Sequence, residues 1–189
     1  MAWQAAYQFR GFSSLSIIGG QTAKVLVMEV GPVLTALVLA GRISTTIAAE
    51  VGTMRTTDQL DALRSFGIAP QHYLGKTRVW STSLGQPFLT LLAVLAGLVG
   101  AFVVIKGYLG IPSATFWGSV RTFLTLRDVA TGLLKPALFG FISATAGLYW
   151  GLTGQQAGAE GVGVGSLRAF VWSAVTVLFA DYFLWVLVY

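Results

Sequence analysis

Four uninterrupted apolar runs, Val25 to Ile47, Val79 to Ile105, Val129 to Leu152 and Leu167 to Tyr189, limit this chain more than any other feature. Each reaches or exceeds the roughly 20 residues that a helix needs to cross a hydrocarbon core of about 30 Å. Backbone in lipid must satisfy its own donors and acceptors, which leaves helices and closed barrels as spanning structures. The runs are continuous rather than alternating, and this favours helices. Composition agrees, with hydrophobic residues at 55%, charged residues at 10% and a mean hydropathy of +0.74. The expected fold is an all-α integral membrane protein with about four complete transmembrane helices and a short cytoplasmic amphipathic helix.

The absence of cysteine removes disulfides, thiol nucleophiles and thiolate metal sites from consideration. Twelve basic residues give a net charge of +5, but they are scattered singly and form no stripe of the kind that binds nucleic acid. They read as juxtamembrane charge. Met1 to Phe9 is too short to span and has neither the basic start nor the apolar run of a signal peptide. It reads as an interfacial or partial segment, with Trp3, Tyr7 and Phe9 at the headgroup level, and the Gly19-Gly20 pair is expected to break the chain before the first complete span.

Between the first two runs lies an extended polar segment, Glu50 to Arg78. Arg55, Arg64, Lys76 and Arg78 lie in it and Arg42 is close by, which places it in the cytoplasm. The loop Lys106 to Asp128 then falls outside although it holds Lys106, Arg121 and Arg127, and the loop Thr153 to Ser166 falls inside. The glycine runs Gly154 to Gly158 and Gly161 to Gly165 lack the Gly-Lys-Ser/Thr ending of a phosphate-binding loop, so tight turns are the better reading.

Within the polar segment, Met54 to Phe66 has helical spacing: Met54, Leu60, Leu63 and Phe66 can share one side, with Arg55, Asp58, Asp61 and Arg64 largely on others. Thr57 and Asp58 are candidate N-caps, and Gly67 followed by Pro70 is a stop signal. Amphipathicity alone allows a helix lying on headgroups or one docked on a protein. The balance of Arg and Asp favours the protein partner, because surface-seeking helices are rich in Lys and Arg.

Ionisable residues inside the apolar runs are costly and are usually paired or turned to a polar cavity. Glu29, Lys135 and Asp181 lie roughly 6 to 12 Å from the outer ends of their spans at about 1.5 Å per residue. A Glu29 to Lys135 pair with Asp181 nearby avoids isolated charge in low dielectric, and the layer either lines a polar cavity or simply locks helices together, with snorkelling open to Lys135. Arg42 lies near an inner end, where snorkelling or a carbonyl partner serves it. Gly31 and Pro32 are expected to kink or interrupt their helix, since proline removes a donor and crowds the preceding turn. Gly147 to Gly151 has the spacing of a small-residue packing motif, which is weak on its own. His72 is the sole histidine and reads as a solvated loop residue, so no metal site is expected. No setting for a catalytic nucleophile is present.

Glu29-Val-Gly-Pro-Val-Leu-Thr-Ala-Leu-Val-Leu-Ala-Gly-Arg42, Ala49-Glu-Val-Gly-Thr-Met-Arg55, Asp58-Gln-Leu-Asp-Ala-Leu63 and Gly158-Ala-Glu-Gly-Val-Gly163 occur in that order. Together they resemble the MlaE/YrbE permeases of ABC-type lipid transporters associated with MCE proteins. The resemblance covers 1–189 as a single permease domain, without the interfacial helix and first transmembrane helix with which family members usually begin, and with Lys76-Thr-Arg78 where the family commonly has Pro-Arg. It implies a homodimeric permease of the bacterial inner membrane that moves phospholipid or a related lipid to or from the cell envelope. It also implies a cytoplasmic ABC ATPase subunit and an MCE-domain lipid-binding protein as partners. ATP and Mg would be bound by the ATPase and no cofactor by this chain. By the same resemblance, Glu50 to Phe66, with Glu50, Arg55, Asp58, Gln59, Leu60, Asp61, Leu63, Arg64 and Phe66, corresponds to the helix that couples to the ATPase. The alternative is an ion-coupled secondary transporter or channel that uses Glu29, Lys135 and Asp181 directly.

Overall fold

The computed structural model describes residues 15–154 and 158–188. These residues form helices α1 (Leu15–Val25), α2 (Gly31–Thr56), α3 (Gln59–Ser65), α4 (Pro70–Leu109), α5 (Ser113–Phe123), α6 (Leu126–Thr153) and α7 (Gly158–Val188), with a π-helical turn over Leu26–Val30 between α1 and α2. There is no strand among them. Four helical stretches are long and apolar enough to cross a membrane: Ile17–Thr56, Pro70–Leu109, Leu126–Thr153 and Gly158–Leu187. The protein is therefore all-α and multi-pass. The expected interfacial segment Met1 to Phe9 lies outside the described residues.

The helices outrun the apolar runs. At about 1.5 Å per residue α4 is about 60 Å long, twice the hydrocarbon thickness. Helical hydrogen bonds are as well satisfied in water as in lipid, so a span does not have to end where its apolar residues do. The segment Glu50 to Arg78 is consequently mostly helix rather than loop, and His72 is an exposed residue of α4. Likewise Gly161 to Gly165 lies within α7 instead of forming turns, and the expected loop from Lys106 to Asp128 contains α5.

The described residues fall into two compact units, 15–32 with 89–134 and 33–88 with 135–154 and 158–188. In the first, α1 packs along α5 through a core of Ile18, Ala23, Ile105, Phe116 and Val120. Phe116 meets Phe102 and Trp117 at ring-centroid distances of 5.3 Å each. The Gly19-Gly20 pair does not break the chain, because it sits within α1. A methyl group at Gly19 would stand 2.8 Å from the Phe116 ring, and one at Gly20 would stand 2.7 Å from the Ser119 carbonyl oxygen. Close approach of α5 is what these two glycines supply.

In the second unit, Ile47 and Val51 of α2 pack with Ala144 and Leu148 of α6, and Ala36, Phe139 and Val177 join α2, α6 and α7. Glycines again bring backbones together. A methyl group at Gly140 would lie 2.7 Å from the Thr82 carbonyl oxygen, and one at Gly147 would lie 2.7 Å from that of Ser44. A methyl group at Gly151 would lie 2.8 Å from Val51, so the Gly147 and Gly151 motif serves the contact of α6 with α2 inside the chain. Buried Ser173 Oγ donates to Ser143 Oγ at 3.0 Å and fastens α7 to α6. α7 leaves Leu167, Phe179, Phe183 and Leu187 exposed, as expected of a helix whose solvent is lipid.

These contacts predict opposite outcomes for two glycine substitutions. Gly147→Val is expected to lower stability by about 1–3 kcal/mol, the usual cost of overpacking. Gly163→Ala in α7, where nothing lies within 4 Å, is expected to be neutral or to gain up to about 1 kcal/mol of helix propensity. Thermal unfolding of the two variants in one detergent reads the difference.

Candidate functional site

The most elaborately built polar feature of the second unit is the hairpin formed by the end of α2, the short α3 and the start of α4. The expected single helix from Met54 to Phe66 is split by the turn Thr57–Asp58. Asp58 adopts the left-handed conformation at φ 56°. Asp pays less than most residues for this because its short polar side chain tolerates it. Asp58 occupies the N-cap position of α3, but its carboxylate makes no capping hydrogen bond. The hydroxyl of Thr57 donates back to the Thr53 carbonyl at 3.0 Å and so finishes α2 instead of starting α3.

α3 ends as its glycine predicts. Gly67 takes φ 73°, its N–H donates to the Arg64 carbonyl at 2.9 Å, and the Ile68 N–H donates to the Leu63 carbonyl at 3.1 Å. This pair of bonds is the Schellman arrangement, which needs a left-handed residue that glycine fills without strain. Pro70 then opens α4 at the one helical position where a missing N–H costs nothing.

α3 turns its polar residues outward. Asp58, Gln59, Asp61 and Arg64 are exposed, and Arg64 Nη1 bonds Asp61 Oδ1 at 2.7 Å within the helix. The apolar side is divided: Leu60 is buried at 3% exposure, Leu63 is half-buried, and Phe66 is 78% exposed. Leu60 therefore anchors α3 to its own chain, while Phe66 remains as an apolar contact for something else.

An ion pair behind α3 closes the hairpin. Arg78 Nη1 of α4 lies 2.6 Å from Glu50 Oε2 of α2, an ion-pair contact that is not aligned as a hydrogen bond. Arg55 is half-buried, with its guanidinium over Gly154 so closely that a methyl group there would lie 2.7 Å from Nη2. Spacing alone placed Glu50 and Arg55 in the segment but did not assign them neighbours. Arg78 was visible only as one of four loop cations, and no periodic signal linked it to Glu50 across the intervening residues.

The intramembrane charges are distributed between the units. Lys135 Nζ donates to Asp181 Oδ1 at 3.0 Å, with side-chain exposures of 3% and 16%, so α6 and α7 share a buried ion pair in the second unit. Pro136 follows inside α6 and withholds the N–H that would otherwise bond the Gly132 carbonyl. Glu29 is half-buried on the π-helical turn of the first unit, directly before Gly31 and Pro32. There is no group of His, Cys, Asp or Glu placed to hold a metal ion among the described residues.

The model of the family described as Permease MlaE matches residues 1–187. The chain belongs to this family. Relatives include a probable ABC transporter permease protein of Synechocystis sp., 40% identical over 181 residues, which are 96% of this chain and 68% of the relative. A probable ABC transporter permease protein of Rickettsia conorii is 36% identical over 182 residues, 96% of this chain and 70% of its own. The chloroplast protein TRIGALACTOSYLDIACYLGLYCEROL 1 of Arabidopsis thaliana is 35% identical over 178 residues, 93% of this chain and 51% of its own. This MlaE-family chain thus has the role of a multi-pass permease of the ABC type, a membrane subunit that is not itself an enzyme.

The Lys135 to Asp181 pair makes a stability prediction for this permease. Removing one partner of a buried pair strands the other charge and costs about 3–5 kcal/mol, whereas replacing both by apolar residues is often neutral. Asp181→Asn is expected to lower the unfolding temperature sharply, and Lys135→Met combined with Asp181→Leu to restore most of it. Thermal unfolding in detergent separates the two.

Proposed function

We propose that this permease moves phospholipid or a related lipid between the bacterial inner membrane and the cell envelope, driven by a separate ABC ATPase. It would act as a homodimer and together with an MCE-domain lipid-binding protein. ATP and Mg belong to the ATPase and not to this chain. The observation that carries the reading is the hairpin at α3, a short exposed helix strung between two spans and tied at its base by Glu50 and Arg78. Such an element presents Gln59, Asp61, Arg64 and Phe66 to a soluble partner while its ends are continuous with membrane helices. Family membership supports the ABC setting, and the chloroplast relative, which bears the name of a glycolipid, supports a lipid cargo.

In this reading, ATP-driven movement of the partner is delivered to α3 and passed into α2 and α4. Glu29, Lys135 and Asp181 provide the polar points along the lipid path, and the π-helical turn before Gly31 and Pro32 is the irregular backbone beside it. Non-helical or broken backbone at membrane depth is tolerated where protein or a cavity satisfies it.

The test is co-purification followed by transport. Asp61→Arg and Leu63→Glu are expected to lose a stoichiometric ATPase while leaving the permease folded. Retention of the ATPase by both variants would remove α3 as its docking site. With the complex assembled, Glu29→Gln and Lys135→Ala are expected to reduce lipid transfer at least about tenfold, the scale of one lost charge contact in a site of low dielectric. Full transfer by both would exclude the charges from the path, and proton-dependent transport by the isolated chain would favour an ion-coupled transporter.

A further inference from the structure

Inside its apolar run, α4 carries an amide that no protein group meets. Gln86 is 1% exposed, and neither its Nε2 nor its Oε1 has a hydrogen-bond partner among the described residues. The hydroxyl of Ser83, three residues earlier on the same side of the helix, is buried and unpartnered as well. Pro87 then stands inside α4 and withholds the N–H that would otherwise bond the Ser83 carbonyl. Unmet donors and acceptors are thus gathered within one turn of one helix.

α6 covers this turn within the second unit. A methyl group at Gly140 would lie 3.0 Å from Gln86 Oε1 and 2.7 Å from the Thr82 carbonyl oxygen, and Thr82 Oγ1 lies 3.4 Å from the Gly140 carbonyl oxygen. The missing side chain at Gly140 is what admits the amide to the crossing. So enclosed, the amide is out of reach of a second chain or of lipid beside the helices. An unpaired amide in apolar surroundings is costly, and buried polar groups are paired with protein or with ordered water.

We infer that α4 binds an ordered water at Gln86, bridging the side-chain amide to the Ser83 carbonyl that Pro87 leaves without its helical donor. The unmet groups select this ligand. A cation would meet Oε1, the hydroxyl and the carbonyl but leave the amide N–H groups unpaired, and an anion would leave the carbonyl and Oε1 unpaired. Water both donates and accepts, and Gln86 with the carbonyl and hydroxyl of Ser83 supplies the two to four partners that hold a buried water. Ordered water is also a known relief for carbonyls freed by proline in membrane helices. Because a bound water can change partners, α4 can shift along α6 at this crossing without stranding the amide. The inference stands on the α4 and α6 crossing alone and does not rest on the transport reading.

Nuclear magnetisation transfer from water to side-chain amides tests it, in the full chain labelled with nitrogen-15 glutamine and held in lipid nanodiscs. The Gln86 carboxamide, assigned through its own backbone, is expected to show a dipolar cross-peak to water. Ser83→Ala leaves the amide and the carbonyl as partners and is expected to keep that cross-peak; its loss there would mean that the Ser83 hydroxyl had relayed the signal, and would overturn the proposal. Pro87→Ala returns a donor to the Ser83 carbonyl and is expected to weaken the transfer about fivefold, the scale of one hydrogen bond. Unchanged transfer in Pro87→Ala overturns the bridge to that carbonyl. Absence of the cross-peak from the wild-type chain overturns the site, and a Gln86 carboxamide shift on exchanging sodium for potassium in its place would assign a cation instead. Thermal unfolding checks both variants, and the wild-type spectrum decides even where a variant does not fold.

Discussion

The distance at which helices can pass one another governs this structure, and glycines of α6 set much of it. In lipid there is no hydrophobic force to press two apolar helices together, so contact depends on dispersion, hydrogen bonding and shape. Gly140 admits the Thr82 carbonyl, Gly147 that of Ser44, and Gly151 the side chain of Val51. In the first unit Gly132 meets the Val27 carbonyl, and a methyl group there would lie 2.6 Å from it. At each of these positions the neighbouring helix comes so close that an added Cβ would collide with it. The buried clusters around Val51 and Phe139 form at that separation, and so does the serine pair between α6 and α7.

Charge is used in two distinct ways on this frame. Lys135 and Asp181 are nearly removed from solvent, where desolvation is large and only a close, hydrogen-bonded pair offsets it. Glu50 and Arg78 are more accessible, with side-chain exposures of 52% and 21%, so their attraction is screened and their value is geometric more than energetic. The first pair joins two spans inside one unit. The second closes the base of the α3 hairpin.

The four spans were legible because length and apolarity are one-dimensional properties of a sequence. Their ends were not, because Glu50 to Thr56 and Pro70 to Arg78 extend helices beyond the apolar runs at little cost in water. The glycines of α7 show the same limit: Gly161 and Gly163 look like turn residues until Val162 is seen packing at Gly52. Around α3, the stop at Gly67 was readable from a residue type that has one conformational use there. The break at Asp58 was not, since an Asp before a helix announces a cap and here supplies a left-handed turn instead. Leu60, Leu63 and Phe66 share spacing but not burial, and burial is a property of what lies opposite. The nearness of Asp181 to Lys135, which depth along the spans only suggested, is closed by a direct contact inside the second unit.

The Glu50 to Arg78 contact gives α3 a directional mechanical property. A displacement that carries α2 and α4 along together leaves the contact intact, whereas one that pries their ends apart must first open a 2.6 Å ion pair and uncover Arg78, which is mostly shielded by its neighbours. The hairpin is thus soft to concerted travel and stiff to splaying, and its stiffness should weaken as ionic strength rises.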